Sequence, residues 1–399
     1  MAKRLAAQRH LKALWLHVNI PISDDFHSAD AIGTLKNLQH LSYYKDAFWG
    51  RKGWSKSSPE LLIWNSRSTL RSLELNASTF HYMHFQWEES GDEPPRQGYL
   101  SALKSFSLVD GEFDDEQTDA IIHAIDFVKL EELSLGQTNT RVGLLYKRLI
   151  DAFSAAREGD IRLQSLSMNL KEDAEDGMEF LSCFDTLTRL TICNNGINPG
   201  ETENPIPEES LWQALYKHKD LTILKLTDDI CSAHDTMPGL DAQTAAKFII
   251  NFPNLRHLHF YLHESKLETV AEALSHAKNL KKVCAKTHRW QGAYQEKQVV
   301  ALRFLQSLVL PVLARTSGEG SFIWEEHSKI KHVVCDVFKF EVGSKFEYVK
   351  GAKKAQKIES PWNKKHQVLF RFVPLEQTHV KGGIHTMRKW ADKVARDLN

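Results

Sequence analysis

The sequence predicts an α/β solenoid with the shape of a horseshoe, in which a parallel sheet lies inside and helices lie outside, followed by an α+β C-terminal cap. Three observations lead to this prediction. An apolar pattern returns at nearly regular steps over residues 1–290, helix-forming segments separate its copies, and residues 291–399 differ in composition. We therefore expect a solenoid of about ten irregular repeats and a basic capping region.

The apolar pattern is L-x-x-L-x-L. Its first, fourth and sixth positions are Leu11/Leu14/Leu16, Leu38/Leu41/Tyr43, Leu70/Leu73/Leu75, Leu103/Phe106/Leu108, Leu130/Leu133/Leu135, Leu163/Leu166/Met168, Leu187/Leu190/Ile192, Leu221/Leu224/Leu226, Leu255/Leu258/Phe260 and a weaker Leu280/Val283/Ala285. The first positions follow one another at steps of 24 to 34 residues. Because the fourth and sixth positions are two residues apart, they share one face of a short strand. A single repeat cannot bury that face, so the repeats must stack with parallel strands.

The segments between the strands have helical patterns. Ser58-Pro59-Glu60 opens one helix, with proline in the first turn. Apolar residues recur at helical spacing in Asp114–Val128, Asp241–Phe252 and Leu267–Ala277. The alternative is a doubly wound α/β domain, which would need longer buried strands and usually a glycine-rich phosphate loop. The sequence has neither feature, so the alternation of strand and helix favours the solenoid.

The ten L-x-x-L-x-L segments resemble the leucine-rich-repeat superfamily over about residues 10–290. Their uneven length, their Leu-Trp-Leu and Leu-His-Phe variants and their helical connections resemble the F-box/leucine-rich-repeat proteins of filamentous fungi. This resemblance implies a scaffold for protein–protein interaction, in that family the substrate-recognition part of a ubiquitin ligase. The sequence departs from the superfamily in one respect, because the asparagine expected three residues after the sixth position occurs only as Asn19 and Asn195.

No F-box is visible in the sequence. In the resembled family this module lies before the repeats and opens with a Leu-Pro-x-Glu phrase, whereas the first repeat here begins at Leu11. Binding to the ubiquitin-ligase adaptor is therefore not carried over to any residue. We expect it only if an F-box lies upstream of Met1.

Residues 291–399 are expected to cover the last hydrophobic face of the solenoid, since repeat arrays need an atypical end unit. Two segments have helical patterns, and two alternate like strands. The helical segments are Glu296–Arg315, with Val299 among its inward residues, and Met387–Leu398; the alternating segments are Lys331–Val342 and His366–Val373.

Charge is unevenly distributed along the chain. Residues 281–399 contain 23 Lys+Arg and 11 Asp+Glu, a net of +12, and the remaining 28 and 40 give residues 1–280 a net of −12. A run of lysines surrounds Trp362 in the basic region: Lys350, Lys353, Lys354, Lys357, Lys364 and Lys365. Such a run fits weak contact with nucleic-acid phosphates, and a solvated loop between two strands fits it equally. Nucleic-acid binding is the rival to protein binding.

The candidate binding residues lie on the strand face opposite the leucines, because side chains alternate along a strand. They are Trp15, Tyr44, Arg189, Lys225, His257, His259, Tyr261, Lys282 and Lys286. The middle repeats have small, nearly uncharged residues on this face, whereas the late repeats gather positive charge in an otherwise acidic region. This pattern predicts a partner with an acidic or phosphorylated segment, with Tyr261 as an aromatic contact. The alternative is that these strands tolerate any polar residue.

Two aromatic-rich segments follow the second and third strands. Tyr44, Phe48, Trp49 and Trp54 belong to the first, and Phe80, Tyr82, Phe85 and Trp87 belong to the second. Exposed aromatic clusters make contact points for partner proteins, and we expect Phe48, Trp49, Trp54 and Trp87 to serve in this way. The alternative is that these side chains pack on one another and close the N-terminal end.

The sequence has no pattern typical of an enzyme or of a cofactor site. The phrases GxxxxGK[ST], GxGxxG, HExxH and GxSxG are absent. His257, His259 and His263 form a cluster, but no Cys, Asp or Glu accompanies them at ligand spacing, so we expect no metal. The prediction is a binding protein that needs no cofactor.

The location of the protein is predicted from the same composition. No segment approaches the roughly 18 apolar residues of a membrane span, and the N-terminus has no signal-peptide core. The five cysteines are odd in number and none forms a CxxC pair: Cys183, Cys193, Cys231, Cys284 and Cys335. We therefore expect a reducing compartment, the cytoplasm or the nucleus.

Overall fold

The structure is a computed structural model with two compact units. It describes residues 10–18, 35–45, 58–76, 98–109, 115–137, 142–157, 159–170, 174–194, 208–228, 238–287, 294–316, 329–336, 338–342, 345–347, 356–358 and 370–374. Unit 1 comprises residues 1–218 and 228–236, and unit 2 comprises residues 219–227 and 237–399. The boundary thus lies within the repeat series, whereas the sequence led us to expect it near residue 290.

The described residues of unit 1 include seven parallel strands arranged in chain order. They are β1 (Ala13–Val18), β2 (His40–Lys45), β3 (Ser72–Asn76), β4 (Ser105–Val109), β5 (Glu132–Gln137), β6 (Ser165–Asn169) and β7 (Arg189–Asn194). Each strand pairs with the next, and the register aligns the fourth repeat positions in one buried row. This row is Leu14, Leu41, Leu73, Phe106, Leu133, Leu166 and Leu190. The strands predicted at the first seven repeats are confirmed.

Unit 2 begins with parallel strands and ends with antiparallel ones. Its strands are β8 (Ile223–Asp228), β9 (His257–Leu262), β10 (Lys282–Thr287), β11 (His332–Cys335), β12 (Phe338–Val342), β13 (Lys345–Glu347), β14 (Gln356–Ile358) and β15 (Phe370–Pro374). Strands β8 to β11 pair in parallel, β12 pairs antiparallel with β11 and with β15, and β13 pairs antiparallel with β14. The last three L-x-x-L-x-L segments therefore also form strands.

Helices alternate with the strands, as the sequence predicts. They are α1 (Ser58–Ser66), α2 (Asp115–Ala124), α3 (Gly143–Ser154), α4 (Ala174–Ser182) and α5 (Glu208–Leu215) in unit 1, and α6 (Ala242–Asn251), α7 (Leu267–Leu274) and α8 (Tyr294–Thr316) in unit 2. Neighbours from α2 to α5 are in contact, and so are neighbours from α6 to α8. The fold is α/β, with a mostly parallel strand series in each unit.

Within each unit, main-chain hydrogen bonds join consecutive repeats where their strands begin. Gln39 and His40 both donate their N–H groups to the carbonyl of Lys12, at 2.7 and 3.0 Å. In other repeats, too, the carbonyl oxygen at the second position of the pattern accepts two main-chain N–H groups. These carbonyls belong to Gln39, Arg71, Lys104, Glu131, Gln164, Thr222, Arg256 and Lys281. Because these bonds use no side chain, repeats of different sequence keep one register. Asn19 and Asn195 lie outside the described residues.

Two predicted elements differ from the structure. The helix expected over Asp114–Val128 ends at Ala124, and Phe127–Lys129 forms a separate 3-10 turn. The single strand expected over Lys331–Val342 is a hairpin, because Asp336 has a φ of 50° and reverses the chain between β11 and β12. Aspartate tolerates this left-handed conformation better than most residues. The buried positions shift by one residue across the turn, from Val333 and Cys335 to Phe338 and Phe340, which a single regular strand would not allow.

The C-terminal helix α8 forms where we expected it, but the predicted inward orientation of one of its residues, Val299, is wrong. Val299 is 40% exposed, whereas Phe304, Leu305 and Leu308 are buried. Helix α8 packs against α7, and β11 pairs with β10. These contacts join the late repeats to the C-terminal region, which explains why the unit boundary lies before β8 rather than near residue 290. The helix predicted over Met387–Leu398 lies outside the described residues.

Candidate functional site

The predicted binding residues near the N-terminus are described only in part. Trp15 lies on β1 and is 72% exposed, as expected for a residue opposite the buried leucines. Tyr44 lies on β2, but its side chain is outside the described part of the chain. The aromatic-loop residues also lie outside the described residues: Phe48, Trp49, Trp54, Phe80, Tyr82, Phe85 and Trp87. Their predicted role stays a prediction.

The polar face of unit 1 has one notable charge pair. Arg189 of β7 donates from Nη2 to Oε1 of Glu132 of β5 over 2.7 Å, and both residues lie in register with Ser165 of the intervening β6. Hydroxyl side chains occupy the next register row, at Ser107, Ser134, Ser167 and Thr191. Because Glu132 neutralises its charge, Arg189 is not an unpaired cation.

In unit 2 the strand register assembles a group of lysines on the polar face. One row across the sheet runs Lys225, His259, Cys284, Val334 and Lys339. Lys282 and Lys286 precede and follow Cys284 by two residues on β10, so they project from the same face. Cys284 is therefore the centre of a cross of four lysines, which we call the lysine cross: Lys225, Lys282, Lys286 and Lys339.

The dimensions of the lysine cross follow from strand geometry. Residues two apart along a strand are about 6.6 Å apart, and strands two apart are about 9.6 Å apart. The electrostatics at Cys284 are consistent with this arrangement, since all four lysines act on its thiol. The flexible four-carbon stem of lysine covers most of such a distance, so all four ammonium groups can approach an anion that lies above Cys284.

The ammonium groups of the lysine cross have few partners within the described part of the chain. Lys225, Lys282 and Lys339 form no ion pair with a described side chain. The carboxylate of Asp336, just after β11, is engaged elsewhere: its Oδ1 accepts from the Thr287 N–H at 2.8 Å and its Oδ2 from the Thr287 hydroxyl at 2.7 Å. The positive charge of the cross is thus left available.

Tyr261 has a different position from the one we expected. It is only 8% exposed, so the expectation that its ring offers a contact surface is wrong. The ring stacks on His259 with centroids 6.4 Å apart, and the Lys286 ammonium lies 5.6 Å from its centroid and 3.4 Å from its hydroxyl oxygen. Tyr261 therefore holds Lys286 in place through cation–π and hydrogen-bond contacts.

The two histidines of this face are neutral at neutral pH. Burial lowers the pKa of His259 to about 4, with a further contribution from Lys286, Lys225 and Lys282. Burial, followed by the charge of Lys282, also lowers the pKa of His257. The positive charge that the sequence attributed to both residues is therefore supplied by the lysines. Nε2 of His259 is buried without a hydrogen-bond partner among the described groups.

The thiol of Cys284 is protonated at neutral pH. Burial raises its pKa, against the opposing effect of the four lysines of the cross. Within the described residues, no three His, Cys, Asp or Glu side chains lie close enough together to hold a metal ion. None of the described helices is both long enough and apolar enough to cross a bilayer.

Lys339 is the member of the cross that sequence reasoning missed. The alternation of Phe338 and Phe340 places Lys339 on the polar face, and that signal was available. The sequence did not indicate that Lys339 lies close to β10. That proximity depends on the hairpin at Asp336 and on the parallel pairing of β10 with β11. The lysine run around Trp362, the basis of the nucleic-acid alternative, lies mostly outside the described residues.

Comparison with known proteins assigns no family to this chain. No protein-family model matches it, and no curated protein matches it at a significant level. The function is therefore argued from the geometry of the polar face.

Proposed function

We propose that this chain is a protein-interaction protein of the leucine-rich-repeat type, and that the polar face of unit 2 binds an acidic segment of a partner protein. One observation supports this proposal above the others. The lysine cross places four cations on one strand face, and three of them have no ion pair among the described side chains. The proposal concerns binding, not catalysis, and does not depend on coupling to a ubiquitin ligase.

The fold itself does not need these lysines. The buried row of unit 2, which includes Leu224, Leu258 and Val283, provides the packing between strands and helices. Lys225 and Lys282 lie on the opposite face and are exposed. Surface side chains away from packing contacts contribute little to stability, so lysine at these positions is explained better by binding than by folding.

Electrostatic attraction favours the binding of an acidic segment to the lysine cross. Each lysine of the cross lies about 7–10 Å from Cys284 along the backbone, which is close to the screening length of about 8 Å at physiological salt. A carboxylate above Cys284 is therefore attracted by all four lysines. The extended backbone of a bound segment would place alternate side chains on the strand face, in the manner of other extended peptides.

The experiment compares binding of a short fluorescent glutamate-rich peptide to the full chain and to a triple variant, Lys225→Ala with Lys282→Ala and Lys286→Ala. Exposed charge contacts contribute about 0.5 kcal/mol each, so loss of three predicts an affinity lower by about tenfold and a weaker dependence on salt. The matched control replaces three exposed lysines of unit 2 that lie away from the cross: Lys247, Lys266 and Lys278. Equal affinity of the parent and the cross variant at low salt would disprove the proposal.

A further inference from the structure

We propose that the lysine cross is a phosphate site, which receives the phosphorylated side chain of a serine or threonine in the partner segment. This inference rests on the proposed function and names the chemical group that the site takes. It concerns a single point on the face, above Cys284, rather than the face as a whole.

The cations are arranged around a point and not along a line. Lys282 and Lys286 flank Cys284 along β10, and Lys225 and Lys339 flank it across the sheet, two strands away on either side. A run of glutamates in an extended peptide has its charges in a line, about 6.6 Å apart on one face. Such a run can meet Lys282 and Lys286 but leaves the other two lysines without partners.

The centre of the cross is occupied by short side chains. Cys284 and its neighbour Val334 are much shorter than the lysines that surround them, and both are partly accessible. On the side of β9, the stacked rings of His259 and Tyr261 form a flat wall, against which the Lys286 ammonium is held. The centre of the cross therefore has short, uncharged side chains, and longer charged side chains surround it.

The charge of the lysine cross fits a phosphate monoester better than a carboxylate. A carboxylate brings one negative charge, whereas a phosphorylated side chain brings about −1.5 to −2 and three strong acceptor oxygens. Each lysine supplies rotatable N–H donors, so amines approaching from four sides can serve all three oxygens. Asp336 accepts two hydrogen bonds from Thr287 and forms no ion pair with a described lysine.

The geometry also favours a phosphorylated protein over a nucleic acid. A nucleic-acid strand distributes its charges along the backbone, one for each phosphodiester, and is bound by cations that follow its path. Here the cations enclose one position. Tyr261 is buried and already stacked on His259, so its ring offers no open face on which a base could stack.

The experiment uses three peptides that differ at one position, with serine, phosphoserine or glutamate. We expect the full chain to bind the phosphoserine peptide about tenfold more tightly than either of the others. The preference should fall by about twofold or more in Lys339→Ala, which removes one of the four converging ammonium groups without touching β10. It should persist in Lys247→Ala, an exposed lysine of α6.

The rate at which the Cys284 thiol is alkylated reports whether the phosphate binds above it. Bound phosphopeptide should slow alkylation of Cys284 by iodoacetamide, as measured by mass spectrometry, but not that of Cys183 or Cys193, the partly exposed cysteines of unit 1. If Cys284 reacts too slowly in the free protein, the Lys339→Ala comparison alone locates the site.

Three results would overturn the inference. They are equal binding of the glutamate and phosphoserine peptides, a phosphate preference that is undiminished in Lys339→Ala, and stronger binding of a single-stranded oligonucleotide than of the phosphopeptide with protection of Cys284. If acidic peptides bind without a phosphate preference, the inference fails and the proposed function stands. If no acidic peptide binds, both fail.

Discussion

Arg189 of β7 reaches across β6 to Glu132 of β5, with Nη2 and Oε1 2.7 Å apart. The two residues are 57 positions apart in the chain, and their side chains are 49% and 48% exposed. The pair removes from the polar face of unit 1 a positive charge that the sequence had suggested was available for a partner. Charge on the polar face of unit 2 has no such compensation among the described side chains.

The first prediction concerns this pair. Because both side chains are exposed, the ion pair should contribute less than about 1 kcal/mol to the free energy of unfolding. A double-mutant cycle with Arg189→Ala and Glu132→Ala in urea measures that coupling. We also expect Arg189→Ala to leave the affinity for the glutamate-rich peptide unchanged, in contrast to Lys282→Ala. A large loss of peptide affinity in Arg189→Ala would show that the arginine does take part in binding.

The second prediction tests the buried row. Leu190 is fully buried and lies in register with Leu166 of β6, so Leu190→Asp places an unpaired carboxylate in the core. We expect a loss of about 3 kcal/mol or more in the free energy of unfolding. The matched control is the adjacent Thr191→Asp, on the polar face, which should change the melting temperature little. Similar melting of both variants would be inconsistent with the strand orientation.

The third prediction concerns acid stability. His218 is fully buried, its Nε2 lies 3.0 Å from the carbonyl oxygen of Leu181, and its ring lies 5.3 Å from that of Phe184. Burial lowers its pKa to about 4 from an ordinary value of 6.5. The unfolded chain therefore binds this proton between pH 6.5 and 4 while the folded chain does not.

It follows that stability falls as the pH decreases from about 6.5 to 4, by about 3 kcal/mol in total for this residue. Above pH 6.5 the contribution is fully present, since both states are neutral. His218→Gln should flatten this part of the stability curve, measured by urea unfolding at several pH values, and His123→Gln, an exposed histidine of α2, should not. An unchanged pH dependence in His218→Gln would mean that other groups cause the acid sensitivity.

The fourth prediction addresses the support of Lys286. Tyr261→Phe removes the hydroxyl that lies 3.4 Å from the ammonium but keeps the ring under it, whereas Tyr261→Leu removes both contacts. A cation–π contact contributes roughly 0.5–1 kcal/mol at an accessible site. We therefore expect affinity for the glutamate-rich peptide to fall by about twofold in Tyr261→Phe and about fivefold in Tyr261→Leu. Titration by fluorescence anisotropy gives both values, and equal affinity of all three proteins would show that Lys286 needs no support.

The elements of this fold were predictable where local patterns decide them. The spacing of Leu187, Leu190 and Ile192 predicted a strand and its buried face, and both are present. Asp241 before α6 predicted the start of a helix, and its carboxylate accepts from the Thr244 N–H at 2.7 Å. The hairpin at Asp336 was missed, although the buried positions change from odd-numbered residues, Val333 and Cys335, to even-numbered ones, Phe338 and Phe340, across it.

The candidate site was predictable in part for the same reason. Alternation along β8 and β10 was sufficient to place Lys225, Lys282 and Lys286 on the polar face. The burial of Tyr261 escaped prediction, because it depends on its neighbours on two strands: His259 stacks on its ring and Lys286 covers it. The ion pair of Arg189 with Glu132 was not predictable either, since Glu132 belongs to a strand two repeats earlier.

The sequence by itself thus determined which residues form strands, which side of each strand is buried and which residues remain on the other side, because these properties depend on neighbours within a few positions. The tertiary structure decided which of those remaining residues meet. Strand pairing brought Lys339 into the row of Lys225 and Cys284, paired Arg189 with Glu132, and placed His259 where burial and lysine charge hold its pKa at about 4. The physical reason is that charge and burial act through space, between residues whose proximity is set by the path of the whole chain.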